Sequence, residues 1–337
     1  MKGALLINLG SPDSTSTKDV KKYLNEFLMD ERVIDIPYLL RAFLVKGIIL
    51  NTRPKKSASA YQKIWWDEGS PLIVLSERLH KKVAEKSNIP VELAMRYGNP
   101  SIKLGIEKLA SQGVKEVFLI PLYPQFAMAT TETIEVLAKK MVKKHFPKIK
   151  LTSLPAFYNK EDYISVLSNS IKTHLEINRP DHLLFSYHGV PERHIKKSDI
   201  TKSHCKIDGS CCNTPSKSHE FCYRHQCYQT TKNVAAHLNL KEGTYSTSFQ
   251  SRLGRDPWLQ PYTDKTIDNF PKNGIKNLAV VTPAFISDCL ETLEEIGIEA
   301  NHSFKENGGK IFTTIPCLND NNDWVNTISK WINNWAK

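Results

Sequence analysis

Short apolar runs alternate along the chain with longer stretches in which apolar residues recur every three or four positions. The runs Ala4–Leu9, Val91–Met95, Glu116–Leu122, Lys150–Ser153, Leu183–Tyr187, Thr244–Phe249, Asn277–Thr282 and Lys310–Thr313 have strand length and strand composition. Between them, Thr17–Met29, Pro71–Lys86, Ser101–Gln112, Thr131–Phe146 and Glu161–Asn178 carry helical periodicity. Alternating strands and helices predict an α/β fold with parallel sheets flanked by helices. Ligands in such folds gather at the carboxyl ends of the strands. Two strand ends are alike: Leu9-Gly10-Ser11-Pro12 and His188-Gly189-Val190-Pro191 both run into a Gly-x-Pro turn. The likeness predicts two related halves, residues 1–158 and 159–337, with a boundary near Pro155–Asn159.

The segment Ile36–Leu50 reads IPYLLRAFLVKGIIL, interrupted only by Arg41 and Lys46. It is shorter than the roughly 18 apolar residues that would mark a membrane span. Two readings fit it: a helix buried in the core, or an apolar lip that touches a membrane or covers a large apolar ligand.

The 337 residues, 40% hydrophobic and 24% charged, are ordinary for a globular chain of two domains. A formal net charge of +11 is compatible with nucleic acid, an anionic membrane or an acidic small molecule. The lysines are scattered over presumed helix faces, as at Lys139, Lys140, Lys143 and Lys144, and no nucleic-acid-binding motif accompanies them, so nucleic acid is not an expected partner. The N-terminal apolar run is too short for a signal peptide and reads as a buried first strand, which predicts a cytoplasmic protein.

Three groups of residues carry chemistry. His188 follows an apolar strand, where its side chain can enter a cleft. Glu291, Glu295 and Glu299 recur every four residues in the helix expected over 287–299, which puts them on one face. Such carboxylates repel one another, so the row is either a solvated face or a line that passes cations or protons. Five of seven cysteines fall between Cys205 and Cys227, spaced C-x5-C-C-x9-C-x4-C. In a reducing compartment that crowding favours metal or iron–sulfur ligation over disulfides, and the spacing does not fit common zinc fingers.

The stretches NLGSPDS, YLNEFLMDERV, IWWDEGSPL, MRYGNPSI, IPLYPQF followed by Thr130-Thr131, FSYHGVP, SRLGRDPWLQPYTD and TPAFISDCLETLEEIGIE resemble ferrochelatase segments, in that family's order, from Asn8 to Glu299. The resemblance implies a chelatase-like fold: two Rossmann-like domains with a porphyrin cleft between them, the lip in the first and His188, the cysteine insertion 204–227 and the acidic helix in the second. It implies insertion of ferrous iron into a porphyrin, protoporphyrin IX or coproporphyrin III, as a step of haem biosynthesis. His188 and Glu291 match the family's catalytic and metal-handling positions. Glu295 and Glu299 continue the acidic path. Leu9, Ser11, Arg96, Tyr123 and Trp258 match its porphyrin pocket. The family often has histidine where this chain has Cys289.

A porphyrin is a flat apolar ring with anionic propionates, so aromatic walls and a cation suit it. His188 could accept pyrrole protons, hold iron, or do both in turn. Some bacterial members resemble this chain in carrying an internal cysteine segment for a [2Fe–2S] cluster, and the four ligands expected here are Cys205, Cys212, Cys222 and Cys227. Zinc or free thiols are the other outcomes. A cobalt chelatase acting on sirohydrochlorin and a non-catalytic haem carrier are the rival functions. The expected partners are the porphyrin and ferrous iron, with peripheral contact at the inner face of a membrane, in a monomer or homodimer.

Overall fold

The computed structural model describes residues 1–252, 254 and 256–337; Leu253 and Arg255, both in the SRLGRDPWLQPYTD stretch, lie outside the described residues. Among the described residues eight strands form: β1 (Lys2–Asn8), β2 (Val91–Met95), β3 (Glu116–Pro121), β4 (Lys150–Ser153), β5 (His182–His188), β6 (Tyr245–Gln250), β7 (Asn277–Val281) and β8 (Ile311–Thr314). They build two four-stranded sheets, ordered β2-β1-β3-β4 and β6-β5-β7-β8, in which every pairing is parallel. The two sheets share one strand order. β1 and β5 are buried almost throughout, as strands covered by helices on both faces must be.

Two compact units result. One comprises Met1–Tyr123, Met128–Pro155 and Asn319–Lys337; the other comprises Pro124–Ala127 and Ala156–Leu318. The C-terminal helix Asn322–Ala336 therefore belongs with the first unit, where the sequence reading put it with the second. The cause is apolar packing. The helix buries Trp324, Val325, Ile328 and Ile332, Trp335 stacks on Phe118 of β3, and Lys2 Nζ donates to the Trp335 carbonyl at 3.0 Å. The rest of that unit's core joins Leu5 and Ile7 of β1 to Ile102, Ile106, Ile134 and Ala138 of flanking helices. In the second unit Leu184, Leu278 and Val280 pack on Ile267, Ile296 and Phe304.

In a sheet of this order the chain leaves the central strand first to one side and then to the other. The crevice at that reversal lies at the carboxyl ends of β1 and β3 in one unit and of β5 and β7 in the other. Both marked strand ends, Leu9-Gly10-Ser11 and His188-Gly189, sit at these reversals.

Three segments differ from the expected α-helices. Phe43–Ile49, Met128–Glu132 and Glu291–Ala300 are π-helical, a rare geometry that concentrates at functional sites. The acidic helix also begins later than the 287 expected. Thr292 Oγ1 donates to Asp288 Oδ1 at 2.9 Å and accepts from the Cys289 N–H at 3.0 Å, which holds residues 288–289 as a capping loop in front of it.

Ile36–Leu50 is not a helix buried throughout in the core. Tyr38, Leu39, Leu40 and Phe43 are 60%, 78%, 60% and 70% exposed. Arg41 is turned inward with Val45 and Leu50, donating to the carbonyls of Ile34 and Ile36.

Candidate active site

In the second unit the reversal brings His188 and the acidic helix together. His188 ends β5, half-buried, with its ring 6.4 Å from the Trp258 ring and 6.2 Å from the Phe285 ring. Its Nδ1 lies 2.6 Å from the Gly189 carbonyl oxygen. That oxygen only accepts, so Nδ1 is the donor and Nε2 is the ring nitrogen left for other partners. The His188 carbonyl accepts a hydrogen bond of 2.8 Å from Tyr223 Oη, which anchors the residue from behind. Gly189 allows the strand end to close on β6: a Cβ there would meet the Gln250 carbonyl oxygen at 2.8 Å.

The acidic helix follows β7 through Thr282–Leu290. A π-helix turns in about 4.4 residues, so positions four apart still share a face, and Glu291 and Glu295 do so here. Glu295 accepts from the Ser251 N–H at 2.8 Å and from Ser251 Oγ. Ser251 holds φ at 65°, a region non-glycine residues rarely occupy, and this aims both donors at one carboxylate. Burial pushes the Glu295 carboxyl above its ordinary value; the Ser251 hydrogen bond and the nearby His188 oppose the rise, and Glu291 adds to it. A buried carboxylate shifted upward is a better proton acceptor than a free one. Glu299 is exposed, while Glu294 is turned inward at 6% exposure. Cys289 is buried. That burial, then the charge of Glu291, pushes its thiol well up, so the residue replacing the family's histidine is a neutral thiol beside Glu291.

In the first unit, Leu9 and Ser11 follow β1, Arg96 follows β2 and Tyr123 follows β3. Gly10 lets this corner form, at φ 105° with the Tyr97 carbonyl oxygen 1.8 Å from where a Cβ would be. Ser11 is buried, and its Oγ has no hydrogen-bond partner among the described residues. Tyr123 lies in the core cluster. Arg96 is not a free cation: it pairs with Asp30, and its Nε donates to Thr133 Oγ1 at 2.7 Å. Asp30 also accepts from Tyr97 Oη at 3.1 Å and from Thr133.

The cysteine insertion folds on itself. Cys205, Cys211, Cys212 and Cys222 line one small pocket together with His204 and His219. Asp199 ties the loop by accepting from the N–H groups of Thr201, His204 and Cys205, each at 2.9 Å. Cys222 is the N-cap of helix Tyr223–His237. A hydrogen bond from Cys212, then the N–H groups of His225 and Arg224, bring its thiol down to about 7 against the opposing effect of burial. Burial raises Cys205 to about 11. Cys227 is absent from the pocket lining; it is wholly buried one helical turn on, beside Tyr223. Thus three of the four expected ligands line the pocket, with Cys211 beside them in place of Cys227. In kind and number these donors fit a thiolate-bound cluster. No three of them form a preassembled metal-binding group among the described residues.

The family model for ferrochelatase matches residues 1–335. The chain belongs to the ferrochelatase family. It is 49% identical over 328 residues to the ferrochelatase of Pseudomonas syringae pv. tomato, covering 97% of this chain and 96% of that one. It is 48% identical over 327 residues to the ferrochelatase of Pseudomonas fluorescens strain Pf0-1, covering 96% and 95%. Among solved structures it is similar to the sirohydrochlorin chelatase SirB from Bacillus subtilis subspecies spizizenii in complex with cobalt. The TM-score is 0.52 at 11% identity over 98% of this chain and 93% of that one, a likeness of fold. The two-unit α/β architecture is thus a chelatase fold.

Ser251, Asp30 and Tyr223 were not among the expected site residues. Ser251 opens the quoted SRLGRDPWLQPYTD stretch, but only the fold brings it to Glu295.

Proposed function

We infer that the chain is a metal-insertion enzyme that places ferrous iron into protoporphyrin IX, forming protohaem at the last step of haem biosynthesis. One observation carries the assignment of residues: His188, its Nδ1 committed to the Gly189 carbonyl and its Nε2 left over, ends a strand beside the half-buried Glu295 and the neighbouring Glu291. Insertion replaces both pyrrole N–H protons with one divalent cation, so a site needs proton acceptors and an oxygen or nitrogen ligand for the ion. His188 takes a pyrrole proton at Nε2. Glu291 receives the ion and Glu295 accepts proton charge; Glu299, at the exposed end of the acidic path, is a last acceptor that solvent can replace. Trp258, beside His188, is the proposed aromatic wall for the porphyrin in the second unit, and Leu9, Ser11 and Tyr123 are the porphyrin-binding candidates of the first. Arg96, already paired with Asp30, orders that corner rather than supplying an unpaired charge to a propionate. The test compares kcat/KM for protoporphyrin IX, coproporphyrin III and sirohydrochlorin with ferrous iron. Protoporphyrin IX is expected to lead, and a preference for coproporphyrin III would move the substrate assignment without touching the reaction.

The lip supports peripheral docking at the inner face of a cytoplasmic membrane. No described helix is long and apolar enough to cross a bilayer. Burying the exposed Leu39, Leu40 and Phe43 side chains would contribute about 1.5–3 kcal/mol each at full burial. Replacing all three by serine is expected to lower liposome sedimentation at least about tenfold with the melting temperature held. Unchanged binding would remove the lip from membrane contact.

The cysteine insertion is assigned a [2Fe–2S] cluster held by Cys205, Cys212 and Cys222, with the fourth thiolate from Cys227, as expected if only one of the adjacent Cys211 and Cys212 ligates, or from Cys211, as the pocket lining favours. Such a cluster supplies a fully ligated centre that orders the loop. The anaerobically purified protein should be brown, and Cys222→Ser should bleach it. Iron and acid-labile sulfide analysis decides: zinc without sulfide, or neither metal, removes the cluster. Cys227→Ser and Cys211→Ser then separate the two ligand sets by colour.

A further inference from the structure

Gln250 ends β6 directly opposite His188 in the parallel pairing of β5 and β6, and it is 3% exposed. Its hydrogen bonds reach both halves of the reacting group. The Gln250 carbonyl accepts from the Gly189 N–H at 2.7 Å. Its side-chain Oε1 accepts from Ser186 Oγ at 2.7 Å, and Ser186 lies two residues before His188 on β5. Its Nε2 donates to the Glu291 carbonyl oxygen at 3.0 Å and to Glu295 Oε2 at 3.3 Å. One buried amide is therefore bonded on one side to the strand that carries the histidine and on the other to the first turns of the acidic helix.

We propose that Gln250 is a positioning residue for metal insertion: it sets the offset between His188 and the Glu291–Glu295 pair. The claim rests on the reading of those three residues as the reacting group.

The physical case has two parts. An amide has one acceptor and one donor end, and here each end is committed, which fixes the orientation of the side chain. The strand end that it grips is already closed on β6 at Gly189, so a movement of the acidic helix would change the offset between base and carboxylates. That helix is π-helical, without the regular i→i+4 ladder of an α-helix, and Gln250 reaches its first residue. Misplacing a reacting group by about 1 Å can cost about 10²-fold in rate. A residue acting only through geometry should therefore affect the ion and the chemical step, and leave the porphyrin's affinity alone.

Gln250→Leu, which keeps the bulk and removes both ends of the amide, is the test, with steady-state kinetics on ferrous iron and protoporphyrin IX and a fluorescence titration of porphyrin binding. The expected result is a kcat lower by about 10–10²-fold and a raised KM for iron, with porphyrin Kd unchanged. Wild-type kinetics, or equal losses toward iron and porphyrin, would overturn the proposal. If Gln250→Leu does not fold, Ser186→Ala releases the amide's Oε1 end, together with the 2.9 Å hydrogen bond between Ser186 Oγ and Thr263 Oγ1, and leaves the Nε2 end in place. It should lower kcat about threefold with porphyrin Kd unchanged, on the scale of one neutral hydrogen bond, and wild-type kinetics there would be equally fatal. Glu291→Gln measured alongside separates the two claims. If that variant retains activity, the reacting group is wrong; if it loses activity while Gln250→Leu does not, only the positioning role is wrong.

Discussion

His188→Ala lowers the rate of iron insertion by about 10²–10⁴-fold, the loss expected when a general base is removed. Porphyrin binding, followed by fluorescence quenching, should persist within a few-fold. The side chain is half-buried at a strand end, and the strand is held by its neighbours on both sides and by Tyr223 on the His188 carbonyl. The fold has little reason to depend on the imidazole. Turnover near that of the unaltered protein would take His188 out of the reaction.

Glu291→Gln follows with a loss of about 10²-fold, against a change within about twofold for Glu299→Gln. The amide keeps the shape of the carboxylate and cannot hold a cation by charge. Glu299 is the control because it belongs to the same acidic line but is exposed, whereas Glu294 is packed inward and its replacement would disturb the helix itself. Anaerobic initial rates over a range of ferrous iron check this. Equal, mild losses for Glu291 and Glu299 would make the row a solvated face.

The strands and most helices were legible because their apolar patterns have lengths only one element can satisfy. Val91–Met95, Pro71–Lys86 and Glu161–Asn178 fall where periodicity put them. The candidate site was legible as motifs, since His188-Gly189 and Leu9-Gly10-Ser11 mark strand ends whatever the fold around them. What was not legible needed three dimensions. The π-helical turn of Glu291–Ala300 leaves no trace in a four-residue spacing, which suits α and π geometry almost equally. The return of Asn322–Ala336 to the first unit depends on a surface of Phe118 and its neighbours that exists only after the sheet forms. The pairing of Arg96 with Asp30 joins residues far apart in the chain, and it turns an apparently free cation into a structural one. In the cysteine segment, Cys211 is passed over because adjacent Cys211 and Cys212 are not both expected to ligate, while the folded loop turns Cys211 into the pocket and buries Cys227 within the helix.

The most direct test of the central claim mixes the purified protein anaerobically with one equivalent each of protoporphyrin IX and ferrous iron, in weak buffer with a pH indicator. Haem absorption should appear together with release of both pyrrole N–H protons, at one rate, and both signals should vanish in His188→Ala. Porphyrin that binds without either signal would make the chain a carrier and contradict the account.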